Sequence, residues 1–212
     1  MSVRVKVCGI TRLEDALLAA AVGVDAIGFN FVEGSPRRVA PELARDMGAA
    51  LPPFLTRVGV FADERPEIME EAARIAGIDC LQLHGDETPE ICAALSIPWY
   101  KAHRVTPGFH PEEVARYGSG TFLLDGHARG LRGGTGRAFD WSVARRAGVY
   151  GRVILAGGLT PRNVVGAIAA ARPYAVDVSS GIESAPGRKD ATLMRRFVLR
   201  AKAAAGAPGA RP

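Results

Sequence analysis

Short, nearly continuous apolar runs alternate with helix-spaced apolar positions along the whole chain. Val3 to Cys8 reads as a first strand. Thr11-Arg12-Leu13-Glu14 then reads as a capping box opening a helix to about Val22, with Leu13, Ala16, Leu17 and Ala20 at helical spacing. Asp25 to Phe31 predicts a second strand, and its helix starts after Pro41 and runs to about Leu51. Thr56 to Phe61 and Pro66 to about Ala76 repeat the unit. Cys80 to Leu83 is followed by a helix with Pro89 near its first turn, and Trp99 to His103 by a short helix near Pro111 to Tyr117. Thr121 to Leu124 leads into a long glycine-rich loop and a helix around Trp141 to Arg146. Arg152 to Ala156 precedes Thr160-Pro161, an N-cap followed by proline at the first helical position. Tyr174 to Val178 is the eighth strand, and Ala191 to Lys202 the closing helix.

Strands that read as unbroken apolar runs belong to a parallel sheet covered on both faces. Eight strand–helix units predict an α/β fold, a (β/α)8 TIM barrel, as one domain over residues 1–202. An open doubly wound sheet is the second architecture compatible with the same pattern. The stretch 203–212, all Ala, Gly and Pro with one Arg, is expected to be a disordered tail.

Composition narrows the function classes. Charges at Arg4 and Lys6 interrupt the first apolar run, and no stretch approaches the roughly 20 apolar residues of a membrane span. A cytoplasmic protein with no membrane partner is the expectation. Cys8, Cys80 and Cys92 cannot all pair within one chain, and no CxxC or Cys/His cluster points to zinc or another metal. The net charge of +5 comes from 27 basic and 22 acidic residues, scattered along the chain. The densest pairs, Arg37-Arg38, Arg145-Arg146 and Arg195-Arg196, lack the interleaved aromatics of a nucleic-acid platform. The bias suits a small phosphorylated substrate instead.

A barrel of this kind carries its active site at the carboxyl ends of the strands. Cys8 ends the first strand, Gly34-Ser35-Pro36-Arg37-Arg38 follows the second, and His84-Gly85 follows the fourth. Asp125-Gly126 ends the sixth, Gly157-Gly158 the seventh and Ser179-Ser180-Gly181 the eighth. Glycine-bearing loops after strands seven and eight are the usual phosphate cradle, which makes Gly157, Gly158, Ser180 and Gly181 the candidate phosphate ligands. Cys80 and Cys92 fall inside elements and are expected in the core. Cys8 faces the site, and its thiolate is a competent base if nearby positive charge lowers its pKa. Asp125 becomes a proton donor if the site closes over it; otherwise it caps a helix or pairs with an arginine. Arg37, or equally Arg38, could clamp a substrate carboxylate, and His84 could bond the substrate or only its own loop.

The motifs carry a resemblance. Lys6-Val-Cys-Gly-Ile-Thr11, Gly28-Phe-Asn-Phe31, Ser35-Pro-Arg37, Val58-Gly-Val-Phe61 and Leu81-Gln-Leu-His-Gly85 occur in this order. Leu123-Leu-Asp125, Gly133-Gly-Thr-Gly136, Phe139-Asp-Trp141, Leu155-Ala-Gly-Gly-Leu159, Asn163-Val164, Asp177-Val-Ser-Ser-Gly-Ile-Glu183 and Pro186-Gly-Arg-Lys-Asp190 follow. From residue 4 to about 200 the chain resembles phosphoribosylanthranilate isomerase, of tryptophan biosynthesis. The resemblance implies an Amadori rearrangement of N-(5-phosphoribosyl)anthranilate, with Cys8 as general base and Asp125 as general acid. It implies Arg37 on the anthranilate carboxylate, Gly158, Ser180 and Gly181 around the phosphate, and Asp177 and His84 near the ribose or the catalytic pair. The substrate nitrogen is the electron sink in that chemistry, so no cofactor is expected. The implied assembly is a monomer, with a homodimer compatible. The loop Gly126-His-Ala-Arg-Gly-Leu-Arg132 is more basic than the family pattern. The competing readings are a histidine-pathway or pentose-phosphate barrel isomerase, a second activity on the histidine-pathway sugar, and a non-catalytic phosphosugar-binding barrel.

Overall fold

Alternation within each strand decides the architecture. A computed structural model describes residues 3–126 and 140–204. Its strands are β1 (Arg4–Cys8), β2 (Ala26–Asn30), β3 (Thr56–Phe61), β4 (Cys80–Leu83), β5 (Trp99–Arg104), β6 (Thr121–Asp125), β7 (Arg152–Ala156) and β8 (Ala175–Val178). They pair in parallel in sequence order, and β1 closes on β8. The sheet is a closed barrel, so the open doubly wound alternative is set aside.

One face of each strand packs outward. Val5, Val7, Ile27, Phe29, Leu81, Leu83, Leu124, Leu155 and Val176 are buried in one apolar cluster with Ala16, Met47, Met69, Val164 and Phe197 from the helices. These helices are α1 (Leu13–Ala21), α2 (Pro41–Ala49), α3 (Pro66–Ala76), α4 (Pro89–Ala93), α5 (Ser142–Ala147), α6 (Val164–Ala171) and α7 (Ala191–Ala204). A second cluster includes Val58, Tyr100, Leu123, Ile154 and Ala175, and Cys80 packs against it. It fills the barrel interior below the site.

Several local expectations change. Thr11 does not cap α1: its hydroxyl donates to the Gly187 carbonyl at 2.5 Å, Arg12 is the N-cap, and Glu14 pairs with Arg12. Thr160–Asn163 is a turn, with Asn163 Oδ1 accepting from the Thr160 N–H at 2.7 Å, and α6 begins only at Val164. The short helix expected in the fifth unit is present at Pro111–Tyr117 and is a 3-10 helix. The closing helix runs to Ala204, and the rest of the expected tail, 205–212, lies outside the described residues. So do 127–139, which hold most of the basic loop, the Gly133–Gly136 motif and Phe139. An antiparallel hairpin, β9 (Glu183–Ala185) with β10 (Arg188–Lys189), follows β8 and was not foreseen.

Candidate active site

The sequence-predicted residues converge on the carboxyl-terminal mouth of the barrel. Cys8 is the last residue of β1 and Asp125 the last of β6, with β8 and β7 between them in the ring. His84 follows β4, and its Nε2 lies 3.3 Å from Asp125 Oδ2. Gly157 and Gly158 follow β7 with left-handed φ of 85° and 66°, conformations that favour glycine. Ser180 and Gly181 begin a 3-10 turn after β8. A Cβ on Gly181 would overlap the Leu159 carbonyl oxygen, so the two glycine loops touch through their backbones.

Between these loops the barrel interior is charged. Period two along β1 turns Lys6 to the same face as Cys8, and Lys6 is 4 % exposed. Its register partner on β8 is Asp177, and the ammonium reaches Asp177 Oδ2 at 2.9 Å. It also donates to Gln82 Oε1 at 2.8 Å, which accepts a second hydrogen bond from Tyr100 OH at 2.9 Å. Tyr100 is the register partner of Gln82. The Gln82 amide nitrogen lies 2.7 Å from His84 Nδ1, so polar contacts run from Lys6 to Asp125 across the interior. Asp177 Oδ1 is buried with no hydrogen bond among the described residues.

Charge and burial pull in opposite directions here. Burial alone would lower the Lys6 pKa, but the Asp177 carboxylate overrides it and holds the ammonium well above the ordinary lysine value. Burial raises the Cys8 thiol above its ordinary value, although Lys6 and Lys189 both pull it down. The condition set for Cys8, that nearby positive charge lower its pKa, is therefore not met: desolvation outweighs the two ammonium groups. Burial also pushes the core thiols Cys80 and Cys92 up to about 11; Cys92 is fully buried, and Cys80 is half-buried at the first position of β4.

The unforeseen hairpin builds the other wall. Lys189 Nζ donates to the Cys8 carbonyl at 2.6 Å and pairs with Glu183 Oε1 at 2.8 Å. Glu183 in turn grips Arg37 through Nε at 2.8 Å and Nη2 at 2.7 Å. Burial would raise the Glu183 pKa, but Arg37 and Lys189 hold the carboxylate below its usual range. Lys6, Gln82, Tyr100, Glu183 and Lys189 were all missed as site residues. Lys6 and Gln82 did leave a signal, a polar residue interrupting an apolar strand at the period of Cys8 and His84.

Residues 5–200 match the family of N-(5'-phosphoribosyl)anthranilate (PRA) isomerase. The chain belongs to that family. The N-(5'-phosphoribosyl)anthranilate isomerase of Geobacter metallireducens is 51 % identical over 201 residues, covering 95 % of this chain and all of that protein. The phosphoribosyl anthranilate isomerase of Thermotoga maritima superposes with a TM-score of 0.90 at 43 % identity, covering 95 % of this chain and 99 % of that one. That protein is described as dimeric, with monomers generated from it. A further solved structure of phosphoribosyl anthranilate isomerase, in complex with reduced 1-(o-carboxyphenylamino)-1-deoxyribulose 5-phosphate, is 41 % identical with a TM-score of 0.86, covering 95 % of this chain and 99 % of that chain. Among the described residues no helix is long and apolar enough to cross a membrane.

Proposed function

We propose that this chain is a cytoplasmic phosphoribosylanthranilate isomerase acting in tryptophan biosynthesis, with Cys8 as general base and Asp125 as general acid. The observation that carries the reading is a thiol and a carboxyl at opposite sides of one barrel mouth, beside two touching glycine loops, in a chain of this family. Asp125 protonates the ribose ring oxygen, the ring C–O bond breaks, and the anthranilate nitrogen lone pair closes a protonated imine. The imine acidifies the adjacent carbon, whose proton Cys8 removes. Those electrons form the enolamine, which tautomerises to the ketone. Each placed proton transfer contributes roughly 100- to 10,000-fold.

The binding residues divide by ligand chemistry. Gly157, Gly158, Ser180 and Gly181 take the phosphate through backbone N–H groups and the Ser180 hydroxyl. One edge of the Arg37 guanidinium, Nε with Nη2, is committed to Glu183, which aims the group, and the remaining Nη1 meets the anthranilate carboxylate. Asp177 Oδ1 has the unmet hydrogen-bonding capacity that a ribose hydroxyl fills. His84 acts on Asp125.

The test follows anthranilate-type fluorescence of freshly generated phosphoribosylanthranilate with EDTA present. Cys8→Ser and Asp125→Asn should each remove nearly all turnover while retaining the fold. Retained turnover in either variant takes that residue out of its role. Failure of the unsubstituted protein to accelerate the reaction would favour another phosphosugar barrel, the histidine-pathway substrate being the first to try. A monomer is the assembly that the family resemblance implies, with a homodimer compatible. The dimeric Thermotoga maritima relative favours a homodimer instead, and sedimentation of the protein beside a variant at the exposed Phe54, Phe54→Glu, separates the two.

A further inference from the structure

We infer that Gln82 is a positioning residue that fixes the tautomer of His84, and through it selects which oxygen of Asp125 carries the transferable proton. The inference rests on the reading of Asp125 as the acid. Gln82 is 1 % exposed, inside the barrel, and does not approach the glycine loops or Arg37 through any hydrogen bond among the described residues. Its side chain nevertheless has only one workable orientation. Lys6 carries an ammonium, a donor with no acceptor capacity, so the Gln82 atom 2.8 Å from it must be the carbonyl oxygen. The Tyr100 hydroxyl donates to the same oxygen. A flipped amide would place an NH2 group against the ammonium, and burial makes such a donor–donor contact costly.

With the oxygen fixed, the amide nitrogen faces His84 Nδ1 at 2.7 Å and can only donate. Nδ1 is then an acceptor without a proton, and the ring proton lies on Nε2. Nε2 is the atom 3.3 Å from Asp125 Oδ2. An N–H directed at Oδ2 makes that oxygen the acceptor and leaves the acid proton to Oδ1. When the proton has gone to substrate, the same N–H stabilises the carboxylate that remains. The Lys6–Asp177 pair, joined by strand register, thereby sets a protonation pattern at Asp125 through three links, Lys6 to Gln82, Gln82 to His84 and His84 to Asp125. Electrostatics alone does not give this result. A histidine left to choose could present a bare Nε2 to Asp125 and capture its proton.

The first measurement needs no substitution at Gln82. The chain has four histidines, so ring-15N-labelled protein gives few signals, and a His84→Asn sample assigns the one of interest. The expected spectrum has His84 protonated on Nε2 and bare on Nδ1. A ring protonated on Nδ1 at neutral pH overturns the inference. The second measurement uses Gln82→Glu, whose carboxylate accepts but does not donate, and Gln82→Leu, which does neither. In Gln82→Glu the His84 Nδ1 signal should become that of a protonated nitrogen. Its kcat should fall about 10- to 100-fold, within the range a placed acid supplies, with KM changed less than about threefold. Gln82→Leu should mix the two tautomers and lose less. Should Gln82→Glu fail to fold, the spectrum of the unsubstituted protein and the kcat of Gln82→Leu still decide. A turned ring with kcat within about twofold of the parent overturns the inference. In that case Asp125→Asn still tests the acid separately: loss of turnover there leaves the proposed function standing while the role of Gln82 falls.

Discussion

Replacing Lys6 by Met tests whether the buried pair organises the interior. Methionine keeps the length and apolar stem of lysine and removes only the ammonium. Lys6 and Asp177 are 4 % and 7 % exposed, so water does not compensate the carboxylate left behind. Breaking such a pair from one side costs about 3–5 kcal/mol, because a buried charge stays unpaired. For a chain of this size that corresponds to a fall in Tm of roughly 6–20 °C. The pH dependence has a defined sign. The folded pKa of Lys6 lies above its ordinary 10.5, so its contribution is full below that value and is lost as pH rises through the folded one. The gap between parent and Lys6→Met should therefore be flat through neutral pH and close only in strong alkali. Urea and thermal unfolding measure it, and the double variant Lys6→Met/Asp177→Leu completes the cycle. The double variant should recover stability relative to Lys6→Met, with a coupling of about 1–3 kcal/mol. A single variant within about 1 kcal/mol of the parent, combined with additivity, would refute the account.

Three further outcomes follow from the same geometry. Because burial holds the Cys8 thiol above its ordinary 9.0, kcat/KM should still be rising at that pH on the limb Cys8 controls, and Lys189→Met, which removes a cation that lowers the thiol pKa, should displace the limb to higher pH; a plateau already reached at neutral pH would contradict this. Glu183→Gln weakens the grip on Arg37, so KM should rise about 10-fold with a smaller change in kcat, measured by steady-state kinetics. Gly28→Ala would bring a Cβ to 2.8 Å from Cys8 Sγ and 3.2 Å from Lys6 Cε; displacing the thiol should cost about 100-fold in kcat while stability falls by about 1–3 kcal/mol, and unchanged kinetics would show that the thiol has room to move.

The barrel was legible because each strand signals itself twice, by its apolar run and by the turn residues at its ends. β4 and β7 have the bounds read from sequence, since their neighbours break the run sharply. The capping errors have a different origin. Thr11 has the right neighbours for a capping box, yet its hydroxyl is taken by the Gly187 carbonyl, 176 positions away, and no local pattern records that competition. The β9–β10 hairpin was missed because its strands are three and two residues long, too short for any period, although Pro186-Gly187 marks the turn between them.

The candidate site was legible in the reactive side chains at its strand ends and not in the groups that surround them. Cys8, His84 and Asp125 announce themselves as reactive side chains at strand ends. Acid–base chemistry by one thiol and one carboxyl requires them to hold opposite protonation states in a shared mouth, and neither residue sets its own state. Lys6 and Lys189 supply positive charge on the Cys8 side, and burial sets the height against which they work. On the Asp125 side a neutral imidazole N–H suffices, provided that it points the right way. Gln82 makes that orientation follow from the ammonium of Lys6, so one buried cation biases Cys8 by its charge and Asp125 by the direction of hydrogen bonds. Such a device needs a polar residue on the interior face of two strands, and Lys6 and Gln82 are among the buried polar residues that interrupt the apolar pattern.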